Sequence, residues 1–285
     1  MSWRTYQVIF RLRSPLHIGH GKVGNLQRTR SYITGRALWG AVTMRLTRDK
    51  GRGPVLDSRE YRKMGDQVHQ FLAFTYFYPA IKKGNNYYVE WPWEDESAFR
   101  RRFLSGYQGA ALVYPERSAA EGMLHEVEFI SPYTLDTCDP VFLKGYVFEK
   151  IGCNLNWQSA FRRLQLGGER GYGWGDVESV DISQSTDEHI FGDFATVRGD
   201  SERPIVHLST DAHLLAHTPA TNLSVSGDIE PLVGREWRSD NPHYRYAGQH
   251  VEFNHICFIP GSIVHKNLAF IVKEYGIWVA TWEKV

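Results

Sequence analysis

The residues with the most chemical content in this chain lie in one short stretch, Leu164-Gln165-Leu166-Gly167-Gly168-Glu169-Arg170-Gly171-Tyr172-Gly173-Trp174-Gly175-Asp176-Val177. Five of its fourteen residues are glycine, with one arginine and two aromatics set between them. Glycine serves where a backbone takes positive φ or comes very close to another group. Arg170, Tyr172 and Trp174 offer a cation for phosphate and flat faces for bases. The same residues suit a tight turn packed by aromatics, and the stretch alone leaves both readings open. A second chemical pair, His17 and His20, lies in the glycine-rich segment Leu16–Asn25. Metal-independent RNA cleavage needs a general base and a general acid, commonly histidine, which these two imidazoles could supply.

Other chemistries find little support. Seven histidines crowd the last 80 residues, and His213 and His217 are four apart, as in a helical zinc pair. No cysteine or carboxylate completes a ligand set there, so no metal and no cofactor is expected. The glycine-rich stretch lacks the lysine of a nucleotide-binding phosphate loop, and no nucleophile elbow occurs. Cys138, Cys153 and Cys257 form no CxxC pair, which suits a reducing, cytoplasmic location. No apolar run is long enough for a membrane span, and the N-terminus lacks the apolar core of a signal peptide.

The net charge of +1 hides an asymmetry. Residues 1–63 carry fourteen basic side chains against three acidic ones, while the remainder carries 19 against 29. Arginine outnumbers lysine 23 to 10, the preference expected for bidentate phosphate recognition and stacking on bases. A polyanionic partner is expected for the first segment, with Lys22, Arg28, Arg30, Arg36 and Arg45 among its contacts. Gly167, Gly168, Arg170, Tyr172, Gly173 and Trp174 are the corresponding candidates in the loop.

The elements that must position these groups follow from periodicity. Tyr6–Arg13 alternates as a half-buried strand with Gln7, Ile9, Arg11 and Arg13 on an outer, basic face. Leu16–Asn25 reads as a loop. Arg36–Arg48 is a helix capped by Thr34 or Gly35 and striped by Leu38, Ala41, Val42 and Leu46. A second helix spans 58–71, a short one 97–103, and another 156–164 leads into the glycine-rich stretch. Strands are expected at 74–81, 87–91, 110–114, 123–130, 142–149 and 176–182. Residues 183–202 are polar and mark a boundary, giving portions 1–183 and 184–285. Beyond it, strands are expected at 204–209, 250–259, 262–265, 268–272 and 276–282, with 222–241 as an irregular insertion. The fold class is α+β: a ferredoxin-like, RNA-recognition-type βαββαβ unit with insertions, followed by a β-rich portion.

Three segments resemble one family. Pro15-Leu16-His17-Ile18-Gly19 after the first strand resembles the PLHIG opening of the CRISPR-associated RAMP superfamily. Tyr32-Ile33-Thr34-Gly35-Arg36-Ala37-Leu38-Trp39-Gly40 resembles that family's segment at its first helix, where Thr34, Arg36, Ala37 and Trp39 depart from the usual residues. Leu166–Gly175 is similar to its glycine-rich signature loop. The resemblance covers about residues 6–180 and implies modules that bind guide RNA (crRNA) inside a CRISPR effector complex. The partners it implies are that RNA, a large polymerase-like subunit and backbone RAMP subunits.

The resemblance leaves three roles. A guide-processing endoribonuclease would use His17 or His20, but in such enzymes the glycine-rich loop typically lies near the chain's end, and here about 110 residues follow it. A backbone subunit lines the guide and in some systems cuts target RNA with an Asp after the first strand; lacking that Asp, it lines the guide without cutting. From Ser14 to Thr34 there is neither Asp nor Glu, and Asn25 is the nearest substitute. A subunit capping the 5′ tag of the guide resembles one RNA-recognition-type domain plus a divergent second portion. Phe258–Val264 is similar to a Pro-Gly-Ser turn late in such subunits. The capping role in a type III complex, without catalysis, is the leading expectation. An RNA-cleaving or RNA-modifying enzyme outside CRISPR is the reading from another class.

Overall fold

The computed structural model describes residues 2–51, 55–110, 112–115, 118–119, 123–240, 243 and 248–281. It is a mixed α+β protein, mostly strands with few helices, arranged in several sheets. The largest sheet is antiparallel. Its first strand, β1 (Trp3–Leu12), lies between Val177–Ser185 and Val141–Lys150; the latter pairs in turn with Tyr78–Lys83, and that with Asn86–Val89.

One face of this sheet is covered by helices. Tyr6, Val8, Phe10 and Leu12 of β1 pack with Leu38, Val42 and Leu46 of α1 (Gly35–Lys50) and Val68 of α2 (Ser58–Phe71). Trp157 and Phe161 join the same core from a single helical turn, Trp157–Phe161. The helix expected over 156–164 is therefore shorter, ending in turns before the glycine-rich stretch.

The other face departs from expectation. Ile9, placed on a basic outer face by its parity, is fully buried against Ala80 and Phe142. Trp3, Tyr78, Tyr146 and Phe148 on that side share a second core with Ile190, Phe191, Leu214, Leu215, Phe270 and Trp278. Residues from both portions of the chain thus build one core. Alternation in β1 fails as a guide to exposure because both faces are covered.

Three more local expectations are corrected. The segment after Pro15 is a hairpin, β2 (Gly19–Val23) with β3 (Leu26–Thr29), rather than a loop. The polar stretch 183–202 contains the end of Val177–Ser185 and the strands His189–Ile190 and Ala195–Arg198. The stretch 222–241, expected to be irregular, contains Ile229–Glu236, an eight-residue strand paired with His250–Phe258. By contrast α1 keeps its Thr34 cap, whose hydroxyl accepts the Ala37 N–H at 3.3 Å, and α2 matches its expected bounds. The segments expected as strands at 110–114 and 276–282 include Ala111 and Trp282, which lie outside the described residues.

Candidate functional site

The glycine-rich stretch is stapled to the segment after β1. Gly175 N–H donates to Pro15 O at 2.7 Å, Gly168 N–H to His17 O at 2.8 Å, and Leu166 N–H to Gly175 O at 2.8 Å. Gly175 sits at φ +79°, and a Cβ there would fall 1.8 Å from Leu166 O, so only glycine fits. His17 is buried beneath this junction, 6% exposed, and its Nδ1–H donates to Glu128 O at 2.7 Å. That bond leaves Nε2 as the ring's remaining polar atom.

A groove of about 480 Å³ opens above this junction. His17, Gly167, Gly168 and Arg170 line one side, and Thr34, Arg36, Ala37 and Trp39 at the start of α1 line the other. The third wall is Val233-Gly234-Arg235 of the Ile229–Glu236 strand. No carboxylate is among the described residues lining it. The first turn of a 16-residue helix lines the groove and brings partial positive charge, which suits an anion.

The candidate residues now separate. Arg170 is exposed at the rim, with its guanidinium 3.3 Å from Met44 Sδ. Tyr172 and Gly173 are exposed beside it, and Tyr172 presents an open ring at 73% exposure. Trp174 does not: its ring is packed edge-on to Phe129 (5.0 Å) and Tyr107 (6.0 Å), so it anchors the loop instead of offering a face for a base. Lys22 is exposed and Arg28 half-buried on the β2–β3 hairpin, and neither lines the groove.

The remaining arginines are held by the chain's own acids. Arg45 pairs with Asp49 one turn on, at 2.6 Å. Arg36 reaches Glu236 at 2.9 Å and Glu252 at 3.7 Å, and its guanidinium lies 4.3 Å from the centre of the Tyr275 ring. Gly234 admits it, since a Cβ there would stand 2.0 Å from Arg36 Cζ. Arg62 pairs with Asp240. The charge asymmetry between the two ends of the sequence is thus partly an internal match, which reading for an external polyanion missed.

Arg30 anchors the most enclosed of these pairs. It donates to Glu230 Oε1 at 2.6 Å. The same oxygen accepts from His217 Nε2–H at 2.5 Å, while His217 Nδ1 accepts from the Tyr76 hydroxyl at 2.7 Å. His217 is fully buried and lies in no helix, so the zinc-pair spacing with His213 has no meaning here; His213 stacks on Trp93 instead. His20 Nε2 lies 3.6 Å from Glu230 Oε2, away from the groove that His17 lines. Burial would raise the Glu230 carboxyl, but His217 and Arg30 together hold it down to about 2.

Among the described residues, one trio of ligand-type side chains converges: Glu236, His250 and Glu252. Arg36 at 2.9 Å and Arg238 at 2.7 Å already neutralise Glu236, so the trio does not fit a cation site.

These shifts carry a pH dependence. Burial lowers the imidazoles of His217 and His20, and lowers His69, stacked on Trp39 at 4.9 Å, to about 4. Below about pH 6.5 the unfolded chain takes up protons that the folded chain refuses, so stability must fall with falling pH. Glu230 adds a further loss from about pH 4.5 downward, the range in which the unfolded carboxyl protonates first. Melting temperatures at about pH 7 and about pH 5 test this. An unchanged value would mean that these rings are not held neutral.

No family model matches the chain, and no curated protein matches it. Among solved structures, a cryo-EM chain of Type III-B Cmr-beta bound to cognate target RNA and AMPPnP is similar with a TM-score of 0.47 at 12% identity. That likeness covers 90% of this chain and 85% of the other. A chain of Type III-B Cmr-beta bound to cognate target RNA gives 0.37 at 10% identity, over 63% of this chain and 96% of the other. A chain of the apo state gives 0.36 at 10%, over 65% and 98%. No helix among the described residues is long and apolar enough to cross a membrane.

Proposed function

We propose that this chain is a non-catalytic guide-RNA-binding subunit of a type III CRISPR effector complex, and that its place is the cap on the 5′ tag of the guide. One observation carries the reading. The three segments that resemble the RAMP superfamily, far apart in sequence, converge on a single groove with the first turn of α1, an exposed Arg170 and no carboxylate among the described lining residues. A phosphate backbone matches such a lining.

The strand order supports a ferredoxin-like βαββαβ core. Numbering its four strands in chain order gives 4-1-3-2, all antiparallel, with α1 and the Trp157–Phe161 turn on one face. We assign RNA contact chiefly to 1–183, with one groove wall lent by 184–285, and contacts with the large polymerase-like subunit and backbone subunits to the latter. A cytoplasmic location fits that assembly.

Binding is favoured over cutting because general acid–base cleavage needs two positioned groups. Among the described residues lining the groove His17 is the one imidazole, and His20 is turned to Glu230. Incubation with repeat-containing RNA in the absence of metal is expected to leave it intact. A discrete cut abolished by His17→Ala would overturn the non-catalytic assignment. For binding, Arg170→Ala is expected to weaken single-stranded RNA by about tenfold and to reduce the salt slope by about 0.7. An unchanged slope would remove the glycine-rich loop from the RNA footprint.

A further inference from the structure

The groove does not stop at α1. Trp39, Gly40, Met44, Arg170 and Arg235 also line an adjoining compartment of about 540 Å³, which runs along the outer side of the helix. Its far end is built by Tyr61 and Trp237, half-buried and edge-on to each other at 5.8 Å. Tyr61 comes from α2, and Trp237 directly follows the Ile229–Glu236 strand. The spacing from Arg36 to Arg48 along α1 is about 18 Å, room for a few nucleotides of single strand.

Charge divides this compartment as it divides the first. Its acid Glu236 is taken by Arg36 and Arg238, and Arg62 is taken by Asp240. Arg48, Arg170 and Arg235 also line it, and none of the three pairs with a carboxylate among the described residues. Arg235 donates to Gly248 O at 3.2 Å and Arg170 contacts Met44. Three guanidinium groups without a carboxylate partner among the described residues therefore line the same compartment as two aromatic rings. Cations along a backbone, with rings for the bases, are what unpaired single strands require.

We propose that this compartment holds an unpaired base of the same RNA strand, stacked against Trp237 and Tyr61, with the flanking phosphates on Arg48, Arg170 and Arg235. The proposal rests on the reading of the first groove as an RNA site and extends it by a base-holding subsite. A double strand could not enter in this way, because its bases are already stacked on each other.

The test uses the full chain with a single-stranded adenosine oligoribonucleotide, and the same strand with one abasic residue scanned through it. In the wild type, one abasic position is expected to weaken binding by about tenfold. In Trp237→Ala that position should make no difference, because the ring that read it is gone. If the abasic penalty is the same in both proteins, or absent from the wild type, the base subsite is overturned. Arg48→Ala, a change at an exposed position, should weaken binding several-fold and lower the salt slope by about 0.7. An unchanged slope also overturns the proposal. If Arg170→Ala also binds as well as the wild type, the reading of the first groove as an RNA site fails with the subsite; a loss in Arg170→Ala without the abasic effect overturns the subsite alone, so the two failures are distinguishable.

Discussion

Replacing Glu230 with alanine is expected to lower the unfolding free energy by about 3–5 kcal/mol. The carboxylate accepts from Arg30 at 2.6 Å and from His217 at 2.5 Å, and His217 is fully buried. Alanine would strand the Arg30 guanidinium, only 9% exposed, without its anion. It would also leave the His217 N–H without an acceptor in the core that joins the two portions of the chain. The size of the loss comes from the partner left behind more than from the pair's own worth. Urea denaturation measures it. Adding Arg30→Met to Glu230→Ala should recover part of the loss, since the stranded charge goes with it. A loss under about 1 kcal/mol would mean that solvent screens the network as it does a surface pair.

Gly175→Ala is the second large effect. The new methyl would meet the Leu166 carbonyl oxygen at 1.8 Å, and φ of +79° is itself unfavourable for alanine. Overpacking and backbone strain together should remove about 3 kcal/mol. The carbonyl struck belongs to Leu166, whose N–H donates to Gly175 O within the staple that places Gly167 and Gly168 over His17, so RNA affinity should fall with stability. Gly171→Ala is the control. Nothing lies within 4 Å of a Cβ there, and both stability and affinity should stay near wild type. If Gly175→Ala melts with the wild type, the loop is adaptable and the groove floor is not rigidly set.

How far sequence reaches into this molecule depends on whether a signal is local. The stripe Leu38, Ala41, Val42, Leu46 and the Thr34 cap specify α1 from neighbouring residues, and the helix forms as read. The glycine-rich stretch and the His17 segment were legible as special, and the groove joins them. Ile9 was misread because its burial depends on Ala80 and Phe142, side chains far from it in sequence that its own alternation pattern does not reveal. Trp174 carries the same composition signal whether its ring faces solvent or Phe129, and only packing decides between them. The Ile229–Glu236 strand was hidden by Pro231 and Gly234, residues that weaken a strand signal. The acids Glu230 and Glu236 were visible as part of the acidic second portion. Reading them as mates for Arg30 and Arg36 required knowing that the portions touch.

The groove's walls are also separated in time. Arg36 and its mate Glu236 stand 200 residues apart, as do Arg30 and Glu230. At ribosomal speeds of about 5–20 residues per second, the second set is made roughly 10–40 s after the first. Through that interval the nascent chain presents its arginines without the carboxylates that later hold two of them. In that state they are open to any polyanion at hand, ribosomal RNA included. Arrival of the Ile229–Glu236 strand withdraws Arg30 and Arg36 from that general attraction and leaves Arg170 and Arg235 at the finished rim. On the guide-RNA reading proposed above, selectivity is acquired late in synthesis, as much by sequestering cations as by displaying them.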